Sequence, residues 1–230
     1  MDAMTTTDEH RVKGGDHLRL LDAAAAAAPA DPAAAIALVP WLGASIDADA
    51  AAARFGRWGR STVIDENTGS AVVPAGLFDA LHERAGVEAT FPAGNAGLLH
   101  VYGYLLSATP TPYGLKRERW LDGALARAYG LAADAFLPWT WPAAGTLLTR
   151  VEAAASALLA TGIVHEEPVG DAVARIAIAR RASSGPAALA YALDRGGDRR
   201  VITTFPVASP DAVLAEVRAD GPRLRWNAVA

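Results

Sequence analysis

Within one short stretch this chain sets a histidine, three tyrosines and a group of cations. Asn95 leads it, and His100, Tyr102, Tyr104 and Ser107 follow. Thr109-Pro110-Thr111-Pro112-Tyr113-Gly114 comes next, and Lys116, Arg117, Arg119 and Trp120 close it. A histidine exchanges protons near neutral pH. A tyrosine can donate to a developing anion. Lysine and arginine hold a carboxylate or a phosphate. Together these types form a kit for acid/base work on an anionic substrate. On that reading His100, Tyr102, Tyr104 and Tyr113 are the catalytic candidates. Asn95, Thr111, Lys116, Arg117 and Arg119 are the substrate-binding ones. The competing reading is structural, with the histidine buried between core aromatics and the cations on a solvated helix face.

A second set lies nearer the C-terminus: Arg175, Arg180, Arg181, Tyr191, Thr203, Thr204, Arg223 and Arg225. A concave sheet lined by Arg, Tyr and Thr could bind phosphates. Arg180, Tyr191 and Thr203 are its binding candidates. Alternating charges on an antiparallel sheet are also what a solvent-facing surface looks like.

The motifs that would announce metal or nucleotide chemistry are missing. His165-Glu166-Glu167 lacks a second histidine at the HExxH spacing, where Val169 stands. Asp47-Ala48-Asp49 suits the first turn of a helix better than a magnesium site. Phe55-Gly56-Arg57-Trp58-Gly59-Arg60 is glycine-rich but fits neither phosphate-loop pattern, and there is no G-x-S-x-G elbow. Lys116 could form a Schiff base with pyridoxal phosphate, but no recognisable phosphate or pyridine contacts accompany it. The expectation is therefore no metal and no cofactor.

Several elements must position these residues. Residues 1–15 are polar and aperiodic and read as a disordered tail. A helix is predicted from His17 to Ala28. Asp31-Pro32 opens a short helix, which Pro40 ends, and Ser45 caps another. Residues 61–65 and 70–74 flank Glu66-Asn67-Thr68-Gly69 and read as a β-hairpin. Ala75–Ala85 is a helix stopped by Gly86. Leu98–Ser107 reads equally as strand or helix, and both bring His100 near a tyrosine. A proline-braced loop and a helix from Lys116 to Tyr129 follow. Pro138-Trp139-Thr140-Trp141-Pro142 is a rigid connector, and a helix covers about 143–160. Residues 172–182, 187–194 and 200–207 then read as an antiparallel meander. A helix starts at Ser209-Pro210-Asp211, and residues 223–229 could add a fourth strand. The expected class is α+β: a mainly helical half over 16–140, then helix plus sheet over 141–230, as one domain or two lobes.

Bulk properties narrow the functional classes. The 230 residues suffice for a sizeable core, with 52% hydrophobic and 20% charged. A net charge of −4 argues against a broad nucleic-acid surface and leaves room for a local basic pocket. With no cysteine, thiolate chemistry and disulfides are impossible, which favours the cytoplasm. No run of about 18 apolar residues is present, so no membrane span is expected. Asp22, Pro29 and Asp31 interrupt the alanine run that might suggest a signal peptide. Only Lys13 and Lys116 are lysine, and the excess of arginine and alanine points to a high-GC bacterial genome.

Two stretches carry resemblances. His100-Val-Tyr-Gly-Tyr-Leu-Leu-Ser107 with Thr111-Pro-Tyr-Gly-Leu-Lys-Arg-Glu-Arg-Trp120 resembles a group of poorly described actinobacterial proteins, some of them labelled amino-acid deaminase. The helices followed by a meander ending in Thr203-Thr204-Phe205-Pro206 are similar to metal-independent ribonucleases of the barnase/EndoU/RelE type. That resemblance implies catalysis from the sheet, with Arg180, Tyr191 and Thr203 as the matching kinds of residue. The acidic balance and the long N-terminal half depart from it.

The sequence thus leads to an enzyme working by metal-independent acid/base chemistry on a small anionic metabolite, one derived from an amino acid if the first resemblance holds. A ribonuclease is the second reading. The third is a non-catalytic binding protein using Trp139 and Trp141. The oligomeric state is not legible.

Overall fold

The computed structural model describes residues 5–179, 187–219 and 226–229, with side chains from residue 14 onward. The class is α+β, with helices dominating the first half and a four-stranded antiparallel sheet the second.

Helix α1 (Thr5–Ala27) extends back into the stretch read as a tail. Asp31 caps α2 (Pro32–Ala37), accepting from the Ala34 N–H at 2.9 Å, as its Asp-Pro spelling predicts. Pro40 does not end a helix. It opens α3 (Pro40–Ala51), because a proline lacks only an N–H that the first turn leaves unpaired. Ser45 therefore sits inside α3 and bonds back to the Trp41 carbonyl at 2.7 Å.

Strand β1 (Arg60–Thr62) leads into the predicted turn, where Asp65 N–H donates to Ser70 and Val72 N–H to Val63, each at 2.9 Å. Helix α4 (Ala75–Ala85) and strand β2 (Ala93–Asn95) follow, and β2 pairs antiparallel with β1. Leu98–Tyr102 is a π-helical turn that passes directly into a 3-10 turn, Gly103–Leu106. The helical reading of this stretch is the correct one. Strands β3 (Pro110–Thr111) and β4 (Gly114–Leu115) form a small hairpin. The helix predicted over Lys116–Tyr129 is two short ones, α5 (Glu118–Leu121) and α6 (Ala124–Ala128). Gly123 breaks them apart at φ +72, a conformation that favours glycine.

Helix α7 (Leu147–Thr161) precedes the sheet β5 (Ile163–Val169), β6 (Ala172–Ala179), β7 (Ala187–Arg195) and β8 (Asp198–Val207), ordered as in the chain. The fourth strand of this sheet is β5, which its Glu-Glu-Pro spelling concealed. Helix α8 (Pro210–Ala219) follows, and β9 (Ala228–Val229) joins β1 instead of the large sheet.

Both faces of the large sheet are covered. Ala188, Ala190 and Ala192 join a core shared with α7 and the N-terminal helices. Leu189, Tyr191 and Ile202 join a second cluster with Leu214 and Val217 of α8. That two-sided burial explains the nearly unbroken apolar run of β7. No helix among the described residues is long and apolar enough to cross a membrane.

Candidate functional site

A cleft of about 970 Å³ opens between the N-terminal elements and the large sheet. His100, Tyr104 and Thr203 lie buried along its base. Lys116 and Arg119, half-buried, stand beside them. Phe205, Val213, Val217 and Trp226 make an apolar wall. The volume suits a metabolite-sized ligand.

Local features of the sequence build this base. Asn95 caps the π-helical turn, accepting from Leu98 N–H at 3.2 Å and donating to the Phe55 carbonyl at 2.9 Å. The turn widens the helix, and Trp120 Nε1 donates to the His100 carbonyl at 3.1 Å. Such π-turns recur at functional sites. Across the cleft, β8 carries a bulge: Thr203 pairs with Tyr191 and Val201 with Ala192, so Ile202 is the extra residue. The bulge turns the Ile202 carbonyl to His100 Nδ1 at 2.7 Å. Gly59 packs so closely here that a Cβ would stand 2.5 Å from Ile202 Cδ1.

His100 is enclosed by these contacts. Facing a carbonyl, Nδ1 carries the proton, and Nε2 is left to accept from the Ser61 hydroxyl at 2.9 Å. Ser61 Oγ is also 2.9 Å from the Asn227 carbonyl, so its single proton is shared. Burial, then the nearby Arg119 charge, pushes His100 down to about 3. A hydroxyl, an imidazole and an orienting oxygen in series are the parts of a serine nucleophile. Here Ser61 is fully buried and does not line the cleft, and an imidazole so depressed is a poor base at neutral pH. His100 ties the π-turn to the bulge and to β1.

Tyr104 stacks on the His100 ring at 4.9 Å. Burial pushes its hydroxyl up to about 12, with Arg119 opposing, so it stays protonated at neutral pH. Its hydroxyl partner is the Asn227 side chain. Trp226 and Asn227 both adopt left-handed backbone, at φ 47 and 64. Such strain costs about 1–3 kcal/mol per residue and concentrates at functional sites. Packing of the Trp226 ring on Tyr191 at 5.1 Å and on Phe205 at 5.6 Å holds it in place.

The two cations differ. Lys116 pairs with buried Asp65. Burial alone would raise the Asp65 carboxyl; the lysine and the Asn67 and Thr68 N–H groups outweigh it and hold the group below its ordinary value. Arg119 makes no salt bridge among the described residues, although the charge of Asp65 reaches it. Its guanidinium donates to Thr203 Oγ1 at 3.1 Å and lies over the rings of Tyr104 and Phe205 at 5.3 and 5.8 Å. A guanidinium carries five N–H donors, so most of its capacity is left for a ligand in the cleft.

The remaining candidates fall elsewhere. Thr111 and exposed Tyr113 line the cleft from the small hairpin, where Thr111 Oγ1 braces the turn. Tyr102 points away and donates to buried Asp49, which also accepts from Thr146 at 2.7 Å. Arg117 pairs with Asp22. Tyr191 is fully buried behind the apolar wall, not on an open sheet face. Arg180 lies outside the described residues, as do Arg181, Arg223 and Arg225. Trp139 stacks on His17 at 5.0 Å, and it and Trp141 are half-buried. Asp65, Phe205, Trp226 and Asn227 join the site from three distant parts of the chain. No spacing within the sequence signals that convergence.

Compared with protein-family models, curated proteins and solved structures, the chain matches none of them. The comparisons therefore add nothing to either resemblance.

Proposed function

We propose that this protein is an enzyme acting on a small anionic metabolite by metal-independent acid/base chemistry in the cleft. The observation that carries the reading is Arg119. It is a half-buried guanidinium at the base of a metabolite-sized cleft, with one protein hydrogen bond and no salt bridge among the described residues. Arginine in such a place is suited to bidentate recognition of a carboxylate or phosphate. Tyr104, protonated and beside Arg119, is the group placed to donate a proton or hydrogen bond as charge develops. His100 acts through Tyr104 and the bulge, not as the base.

Incubation with a mixed metabolite extract in EDTA, read by mass spectrometry, tests this. The wild type should consume an anionic metabolite that Arg119→Met and Tyr104→Phe leave intact. Consumption by Arg119→Met at the wild-type rate would remove the reading. Retention of an anion without turnover would leave the binding half and remove the enzyme.

A further inference from the structure

The charges lining the cleft suit an anionic group best when the same molecule also carries a positive one. Among the described residues five carboxylates line it, from Asp65, Glu66, Glu118, Asp122 and Glu216, against the two cations Lys116 and Arg119. Their placement separates them. Asp65 is buried and occupied by Lys116, so Arg119 sets the sign at the base. Glu118, Asp122 and Glu216 are exposed, at the mouth. Glu216 sits on the same face of α8 as Val213 and Val217, which form part of the apolar wall. The cleft is thus positive at its base, apolar along one side and negative at its rim. A positive group elsewhere on an anionic ligand would gain from that rim, so a molecule carrying both charges fits better than a carboxylate alone.

We infer that the ligand is a zwitterion whose carboxylate and ammonium are separated by an apolar body. The carboxylate sits on Arg119, the body lies along Phe205, Trp226, Val213 and Val217, and the ammonium meets the rim carboxylates, Glu216 foremost. ω-Amino acids and short peptides have this form. An α-amino acid with an uncharged side chain does not, since its two charges are adjacent. The inference rests on the anion-anchoring role of Arg119.

Calorimetric titration with 6-aminohexanoate, hexanoate, hexylamine and L-phenylalanine at low ionic strength tests it. 6-Aminohexanoate should bind about two- to fivefold tighter than hexanoate, the gain one exposed ion pair brings. The gain should shrink with added salt. Glu216→Gln, a change at an exposed position, should abolish most of it while leaving hexanoate unaffected or slightly improved. Equal or tighter binding of hexanoate, or of L-phenylalanine, overturns the zwitterion and spares the anion anchor. Binding of hexylamine alone at full strength, or carboxylate binding unchanged in Arg119→Met, overturns the anchor itself.

Discussion

Lowering the pH from 7 to 4 charges His100 in the unfolded chain but not in the folded one. In the unfolded state its pKa is near the ordinary 6.5, and in the fold it is about 3. The causes are burial and the adjacent Arg119 and Lys116 charges, against which the Ile202 carbonyl is too weak a counterweight. A depressed histidine contributes its full stability above the unfolded pKa and loses it as pH falls toward the folded one. At about 1.4 kcal/mol per tenfold, the contribution is about 5 kcal/mol at neutral pH, of which about 3 kcal/mol is gone by pH 4. Urea unfolding of the wild type and of His100→Gln at pH 7, 6, 5 and 4 isolates the effect, because other titrating groups cancel in the difference. Glutamine keeps polar atoms near Ile202 and Ser61 but does not titrate. The stability gap between the two proteins should narrow by about 3 kcal/mol from pH 7 to 4. A gap that stays constant would refute the buried neutral histidine. A gap that widens in acid would mean that the fold holds a charged imidazolium.

Other perturbations test the elements that build the cleft. Tyr102→Phe removes a donor from buried Asp49 and should cost about 1–3 kcal/mol in urea unfolding; binding in the cleft should be unchanged, since Tyr102 points away from it. Gly59→Ala places a methyl group 2.5 Å from Ile202 Cδ1. It should cost about 1–3 kcal/mol by overpacking, because Ile202 is fully buried and its terminal methyl must shift. An unchanged stability would show that the bulge tolerates displacement.

Some local signals translate directly into structure. Asp31-Pro32 reads directly as a cap and first turn, and Gly86 as a stop at φ +63. The meander strands were legible because Ser-Gly-Pro and Gly-Gly in the sequence separate β-branched and apolar runs. The alternating Leu/Ala spelling of β7, however, does not say that both faces are covered. Strand β5 was hidden because glutamates and a proline mark an edge strand as readily as a loop. Leu98–Ser107 was ambiguous for a physical reason: a π-turn has no period that a search for 3.6 or 2 can find. Of the site, the cluster around His100, Tyr104, Lys116 and Arg119 was visible because it is contiguous. Thr203 was also singled out, but as part of the sheet and not of this cluster. The other partners were not visible: Asp65 lies in a turn, and Trp226–Asn227 in a left-handed pair near the C-terminus. Tyr102 and Arg117 have the same chemistry as their neighbours but opposite directions, which residue type alone does not encode.

Arg119 meeting an anion is the contact on which the proposed chemistry depends above all. The Nε–Hε signals of the arginines in ¹⁵N NMR spectra report this directly, with Arg119 assigned by its loss in Arg119→Lys. On titration with hexanoate the Arg119 signal should move saturably, and at lower ligand concentration than that of any other arginine. A signal that stays fixed while exposed arginines shift would contradict the account.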